Sequence, residues 1–133
     1  MRIMLDTNVL ISMVFFPGKR FQKMMEFITS DHELVLSSFV IDELNAVAER
    51  KFPSKKSAID HFLSQLSYEM VYTPQIMKAG LFEIRDINDY PVLYTAIFED
   101  VDILITGDKD FLDVAIDKPE IITPAEFIEK YVY

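Results

Sequence analysis

The sequence predicts an α/β fold built on a mainly parallel sheet, and three observations carry that prediction. Short apolar runs recur along the chain, segments with helical periodicity lie between them, and the strongest run ends at a glycine. Strands separated by helices of ten or more residues imply crossover connections, which give a parallel sheet covered on both faces.

Taken in order, "RIML" (2–5) and "ELVLS" (33–37) have strand character. "DILIT" (102–106) is the clearest strand, rich in isoleucine and bounded by Gly107, and "PEIIT" (119–123) is a further one. "SYEMVYT" (67–73) is expected to add another. Helices are predicted over 20–29, 38–52, 54–66, 89–100 and 124–132, and "VFFPGK" forms an exposed hydrophobic turn between the first two helices of the chain, a surface for a partner or a second copy. In such sheets the ligand crevice lies outside the carboxyl ends of the strands, where strand order reverses.

Composition narrows the chemistry. With 133 residues, half of them hydrophobic, the chain is expected to form a single domain over 1–133 with one core. The first residues lack the pattern of a secretory signal, no apolar stretch approaches the ~20 residues of a membrane span, and there is no cysteine, so a cytoplasmic location is expected. Absence of cysteine excludes thiolate catalysis and cysteine-ligated metals; two histidines, His32 and His61, leave little imidazole chemistry. Any chemistry rests on carboxylates. A net charge of −9 argues against general binding to phosphate backbones, but the charge is segregated. Seven of the thirteen basic residues fall between Lys19 and Lys56, whereas residues 86–113 hold eight acids and one lysine.

Four acids stand out by position. Asp6 follows the first strand and Asp108 follows "DILIT" by two residues. An aspartate there commonly caps a helix, which is the plain structural reading of each. Asp89 opens a helix with Pro91 in its first turn; on a 100° wheel it shares the stripe of Val92, Leu93, Ala96 and Ile97, so it points inward. Glu43 lies at the edge of the stripe formed by Val40, Ile41, Leu44, Val47 and Ala48. Convergence of all four would be costly, because two carboxylates ~4 Å apart repel by about 4 kcal/mol at an effective dielectric of 20. A cation would resolve it. Oxygen-only ligation suits Mg²⁺ or Mn²⁺, and a phosphoryl group is the natural substrate at such a site.

"MLDTNVLIS", "LVLSSFVIDEL", "DINDYPVLYTAI" and "ILITGDKDFL", in that order, resemble the PIN domain, a family of metal-dependent ribonucleases that includes the toxin subunits of VapBC-type toxin–antitoxin pairs. The resemblance covers nearly the whole chain. It is strongest to toxin components that continue the glutamate helix with a basic pair before a hydrophobic residue, here "ERKF". It implies a three-layer α/β/α fold, cleavage of single-stranded RNA, an antitoxin partner and a homodimer, with the acidic cluster on Asp6, Glu43, Asp89 and Asp108.

Within that reading Asp6, Asp89 and Asp108 hold Mg²⁺ or Mn²⁺, and Glu43 ligates the ion or orients the attacking water. Asn8 and Thr106, each two residues from a key acid, are candidates to orient the carboxylates by hydrogen bonding. Asp110 is a secondary ligand candidate, better explained as the cap of a short helix around Phe111, and Asp86 competes with Asp89, which the wheel favours. Lys19, Arg20, Arg50, Lys51, Lys55 and Lys56 are candidates for the RNA backbone. Phe15, Phe16, Phe21 and Tyr90 could stack bases, although their spacing suits a core.

Other classes fit less well. An aspartyl phosphatase wants a second aspartate where Asn8 stands, a phosphoacceptor receiver wants adjacent acids where Met4 and Leu5 precede Asp6, and a P-loop needs more glycine than positions 18, 80 and 107 supply. The remaining alternative is a catalytically inert module of the same fold that binds RNA or protein.

Overall fold

The computed structural model describes residues 1–133. Its centre is a sheet of five parallel strands: β1 (Arg2–Leu5), β2 (Glu33–Ser37), β3 (Glu69–Val71), β4 (Ile103–Ile105) and β5 (Glu120–Ile122), in the order β3-β2-β1-β4-β5. Ile3 aligns with Leu34 on one side and Ile103 on the other. Successive strand side chains point to opposite faces, so consecutive burial means that both faces are covered. Ile3, Met4 and Leu5 are fully buried, as are Val35, Leu36, Leu104 and Ile105. The result is the expected three-layer α/β/α arrangement, with buried apolar residues in one cluster. No helix is long and apolar enough to cross a membrane.

Six helices connect the strands and a seventh follows the last: α1 (Thr7–Phe15), α2 (Lys19–Asp31), α3 (Ser38–Lys51), α4 (Lys56–Gln65), α5 (Tyr90–Phe98), α6 (Lys109–Leu112) and α7 (Pro124–Phe127). Local chemistry sets their starts. Ser37 caps α3 by accepting the Val40 N–H at 3.2 Å, and Thr123 with Glu126 forms a reciprocal capping box at α7. Apolar spacing sets what they bury: Val40, Leu44 and Ala48 on α3 follow a three-to-four residue stripe. Helix α5 is buried almost all round, from Tyr90 to Ala96.

Several expected boundaries change. The helix expected over 89–100 with Asp89 at its start runs instead from Tyr90 to Phe98, and Asp89 closes the preceding 3-10 turn. The predicted 54–66 helix begins as a 3-10 turn at Pro53–Lys55, where proline is tolerated, and becomes α-helical at Lys56. The "SYEMVYT" strand shortens to Glu69–Val71 because it lies at the edge of the sheet, paired with β2 alone. The C-terminal helix widens after Phe127 into a π turn over Ile128–Val132, where the Tyr133 N–H reaches the Ile128 carbonyl and both Phe127 and Ile128 are buried.

Residues 72–86 carry no regular structure but are tied to the helices. The Thr73 N–H donates to Ser38 Oγ at 3.0 Å, and the Lys78 N–H donates to the Tyr94 hydroxyl at 3.1 Å. This stretch then enters a 3-10 turn, Ile87–Asp89, that leads into α5.

Candidate active site

Strand order reverses beside β1: β2 leaves to one side and β4 to the other. The carboxyl ends of β1 and β4 therefore flank a crevice, and Asp6 and Asp108 sit there. Asp6 is buried, and both of its oxygens are fixed. Oδ1 accepts the Thr7 N–H at 2.7 Å and Oδ2 accepts the Thr106 hydroxyl at 2.8 Å. Thr106 itself is locked, its N–H on the Ile122 carbonyl and its Oγ1 accepting the Asp108 N–H at 3.0 Å. Asn8 crosses the crevice, its Oδ1 accepting the Gly107 N–H at 3.3 Å.

Capping and convergence turn out to be compatible. Asp6 caps α1, and Asp108 caps α6 by accepting the Asp110 N–H at 2.9 Å. The expectation that Asp110 caps the short helix around Phe111 is corrected: Asp108 holds that position and Asp110 lies inside the first turn. The two acids satisfy the same sequence pattern, but the strand ends early enough that the first of them meets the free amide.

Asp89 does not cap. It ends the 3-10 turn with no side-chain cap bond, half-buried, and its Oδ2 is enclosed with no hydrogen-bond donor. Such an oxygen could be satisfied by protons shared with neighbouring carboxylates or by a cation. Burial pushes its pKa up to about 7, reinforced by the negative charge of Asp108, a hydrogen bond that only the protonated form can donate to Asp108, and the charges of Asp6 and Asp86. The Asp6 pKa is likewise raised to about 6, first by burial, against its bonds from Thr106 and Thr7, with Glu43 and Asp108 adding repulsion. Asp6, Glu43, Asp89 and Asp108 thus share one electrostatic neighbourhood.

Two residues come closer than their sequence positions suggested. Carboxylate oxygens of Asp86, Asp89 and Asp110 lie within 4.8 Å of one another, a grouping able to hold a metal ion. Asp86 is oriented by the Asn88 N–H at 3.0 Å. Asp86 and Asp89 are therefore neighbours in one cluster rather than competitors. Arg85, which the sequence reading did not single out, pairs with Asp110 at 3.5 Å and with Asp113 at 3.1 Å. It is the one basic residue between Lys78 and Lys109, which marks it in the sequence without revealing its partners.

Glu43 is exposed on α3, as are Lys19, Arg20, Arg50, Lys51 and Lys55, while Lys56 is partly covered. None of these basic residues forms an ion pair with the acidic cluster. Tyr90 is core, stacked on Phe82 with ring centroids 4.4 Å apart. In the hydrophobic turn, Phe15 packs on Phe52 while Phe16 stands 70% exposed.

No curated protein matches the chain in sequence. Its fold is similar to that of a chain in the crystal structure of VapBC2 from Rickettsia felis bound to a DNA fragment from their promoter, with a TM-score of 0.70 and 20% identity over 92% of this chain and 97% of that one. The PIN domain family matches residues 2–110, a span that contains every acid of the crevice, and the chain belongs to that family.

Proposed function

We propose that the chain is a Mg²⁺- or Mn²⁺-dependent endoribonuclease that hydrolyses phosphodiester bonds of single-stranded RNA, and that it is the toxin of a toxin–antitoxin pair. The observation that carries this reading is the cation-poor gathering of carboxylates at the strand-order reversal, with one buried Asp89 oxygen lacking any donor. Oxygen-only donors suit a hard divalent ion. Asp6, Asp89 and Asp108 would hold it, with Asp86 and Asp110 beside them; when bound it would lower the pKa of a water and offset charge on the phosphate oxygens.

The chain's own residues supply the rest. Thr7 and Thr106 fix both oxygens of Asp6, and the Asp110 N–H fixes Asp108, so these carboxylates present lone pairs without rotating. Glu43, exposed and without a hydrogen bond in the structure, would ligate the ion or orient the attacking water; its charge adds to the rise in the Asp6 pKa. Lys19, Arg20, Arg50 and Lys51 are the exposed cations for the RNA backbone. The family and the likeness to a VapBC2 chain support an antitoxin as protein partner and a cytoplasmic location. A single domain over 1–133 and a homodimer complete the reading, the domain resting on the one hydrophobic cluster and the dimer checked by light scattering.

The test is cleavage of a labelled single-stranded RNA with Mg²⁺, Mn²⁺ or EDTA, by wild type and by Asp6→Asn with its fold checked by circular dichroism. Metal-dependent cleavage lost in Asp6→Asn is the expected result. Absence of cleavage with both metals would leave the inert binding module.

A further inference from the structure

A second recess adjoins the acidic crevice. The irregular 72–86 stretch arches over the start of α5 and leaves a hollow of about 650 Å³, lined mainly by Met77, Phe82, Ile84, Ile87, Tyr90 and Pro91. That volume lies within the ~300–1,000 Å³ of ordinary ligand sites. The hollow is a built feature. The Tyr90 hydroxyl donates to the Lys78 carbonyl at 2.5 Å and accepts the Leu81 N–H at 3.4 Å, while Phe82 stacks on Tyr90 and Tyr90 on Tyr94. Gly80, with φ at 81°, makes the turn that a side chain would strain.

The position of this hollow decides what it suits. Ile87 opens the 3-10 turn that carries Asp89, Tyr90 follows it, and Asp86 immediately precedes Ile87. Glu83 and Ile84 also border an adjoining cleft whose other walls are Arg85, Asp110 and Asp113. A strand whose phosphate lies among the acids and Arg85 would therefore have its next base beside the hollow. The lining carries no cation, and its one charged side chain is Glu83, so a phosphate is repelled there and a neutral, largely apolar ring is not. Ile87 is 73% exposed at the edge, an aliphatic surface left in water until something covers it.

Resting on the nuclease reading, we infer that this hollow receives an unpaired nucleobase adjoining the scissile phosphate, so that the enzyme engages single strands whose bases can splay away from the backbone. Recognition of single-stranded RNA works in this way, with bases turned out onto apolar and aromatic surfaces.

The test compares a fluorescein-labelled single-stranded oligoribonucleotide with the same ribose-phosphate strand lacking all bases, bound to the full chain in Ca²⁺ and read by anisotropy. Wild type is expected to prefer the strand with bases by at least about fivefold, and Ile87→Asp to reduce that preference below about twofold, with Ile87→Ala between them. Circular dichroism confirms that each variant is folded. Equal affinity of wild type for both strands, binding to neither, or a preference untouched in Ile87→Asp overturns the base site; a hollow that serves a protein partner gives the equal-affinity result. The same strands with Mn²⁺, run on a gel, test the nuclease reading separately. Base-dependent binding without cleavage removes the nuclease and leaves the base site, and cleavage without base-dependent binding does the reverse.

Discussion

At the amino ends of the strands most acids meet a cation. Arg2 lies 3.4 Å from Glu33 and 2.8 Å from Glu69, Lys118 lies 3.0 Å from Asp100 and 3.4 Å from Asp102, and Lys130 pairs with Glu120. At the carboxyl ends of the same sheet Asp6, Asp86, Asp89, Asp108 and Asp110 gather, and of all ion pairs only that of Arg85 reaches them. The pKa shifts follow suit. The Arg2 N–H and the Lys118 side chain hold Asp102 below its ordinary value, and Lys130 and Tyr131 do so for Glu120, whereas burial raises Asp6 and Asp89. Acids at one end are paired with cations of the fold; those at the other share a single exposed arginine. Perturbed carboxylates in a crevice mark candidate function for that reason.

The largest effect expected from this contrast is on cleavage. Asp108→Asn is predicted to lower kcat/KM on single-stranded RNA by about two to four orders of magnitude, as loss of an electrostatic or metal-holding group does. Asp102→Asn, at the opposite end of β4, is predicted to leave it within about threefold, the size of an ordinary remote surface change. Equal losses in the two variants would erase the distinction between the ends.

Stability should move in the opposite sense. Asp6 and Asp89 have raised folded pKa values, so the stability they contribute is fully present below about pH 3.8 and is lost as pH rises through about 6 and 7. Metal-free protein is thus strained at pH 8 by these two charges. Asp6→Asn removes one of them and is predicted to stabilise the metal-free chain by about 1–3 kcal/mol at pH 8, the upper figure being the full shift at ~1.4 kcal/mol per unit. The gain should vanish near pH 4, and Mn²⁺ should raise the Tm of wild type more at pH 8 than at pH 5. Urea melts at pH 8 and pH 4 read the gain and thermal melts with and without Mn²⁺ at pH 8 and pH 5 read the Tm; a variant less stable than wild type at pH 8 would show that the Thr7 and Thr106 hydrogen bonds outweigh the charge.

A smaller loss is expected from the satisfied end. Asp102 Oδ2 accepts the Arg2 N–H at 2.7 Å, and Asp102→Ala strands that partly buried donor at the start of β1. About 1 kcal/mol should go, independent of metal and constant between pH 5 and 8, because a lowered carboxylate pKa matters only as pH falls toward it. Metal-dependent loss in this variant would mean the two ends communicate.

How much of this was legible in the sequence depends on whether a residue's neighbours are local. The runs containing Ile3, Leu34 and Ile103 announce buried parallel strands because both faces are apolar, and the apolar period of the helix that follows points Asp89 inward although Asp89 itself lies in the preceding 3-10 turn. Asp86 and Asp110 could not be ranked in that way. Their approach depends on an irregular 72–86 stretch with no period and on where β4 stops, which also decided that Asp108 rather than Asp110 caps α6. Arg85 was missed for the same reason: its partners, Asp110 and Asp113, lie beyond an entire helix and strand.

Arg85 is also the point at which the acid end imitates the other, and removing it sharpens the contrast. The guanidinium is 70% exposed, so its pull on Asp110 is screened by solvent and is worth about 0.2–1 kcal/mol. A cation entering the cluster must compete with it for the same carboxylate and meets its repulsion as well. Arg85→Gln is therefore predicted to tighten Mn²⁺ binding, measured calorimetrically at low salt, by about 1.5- to fivefold, and the gain should shrink as salt rises. If Arg85 instead serves chiefly to aim Asp110 at the ion, the same substitution weakens Mn²⁺ binding with little dependence on salt. The sign of the change thus decides whether this arginine opposes the metal or prepares its site.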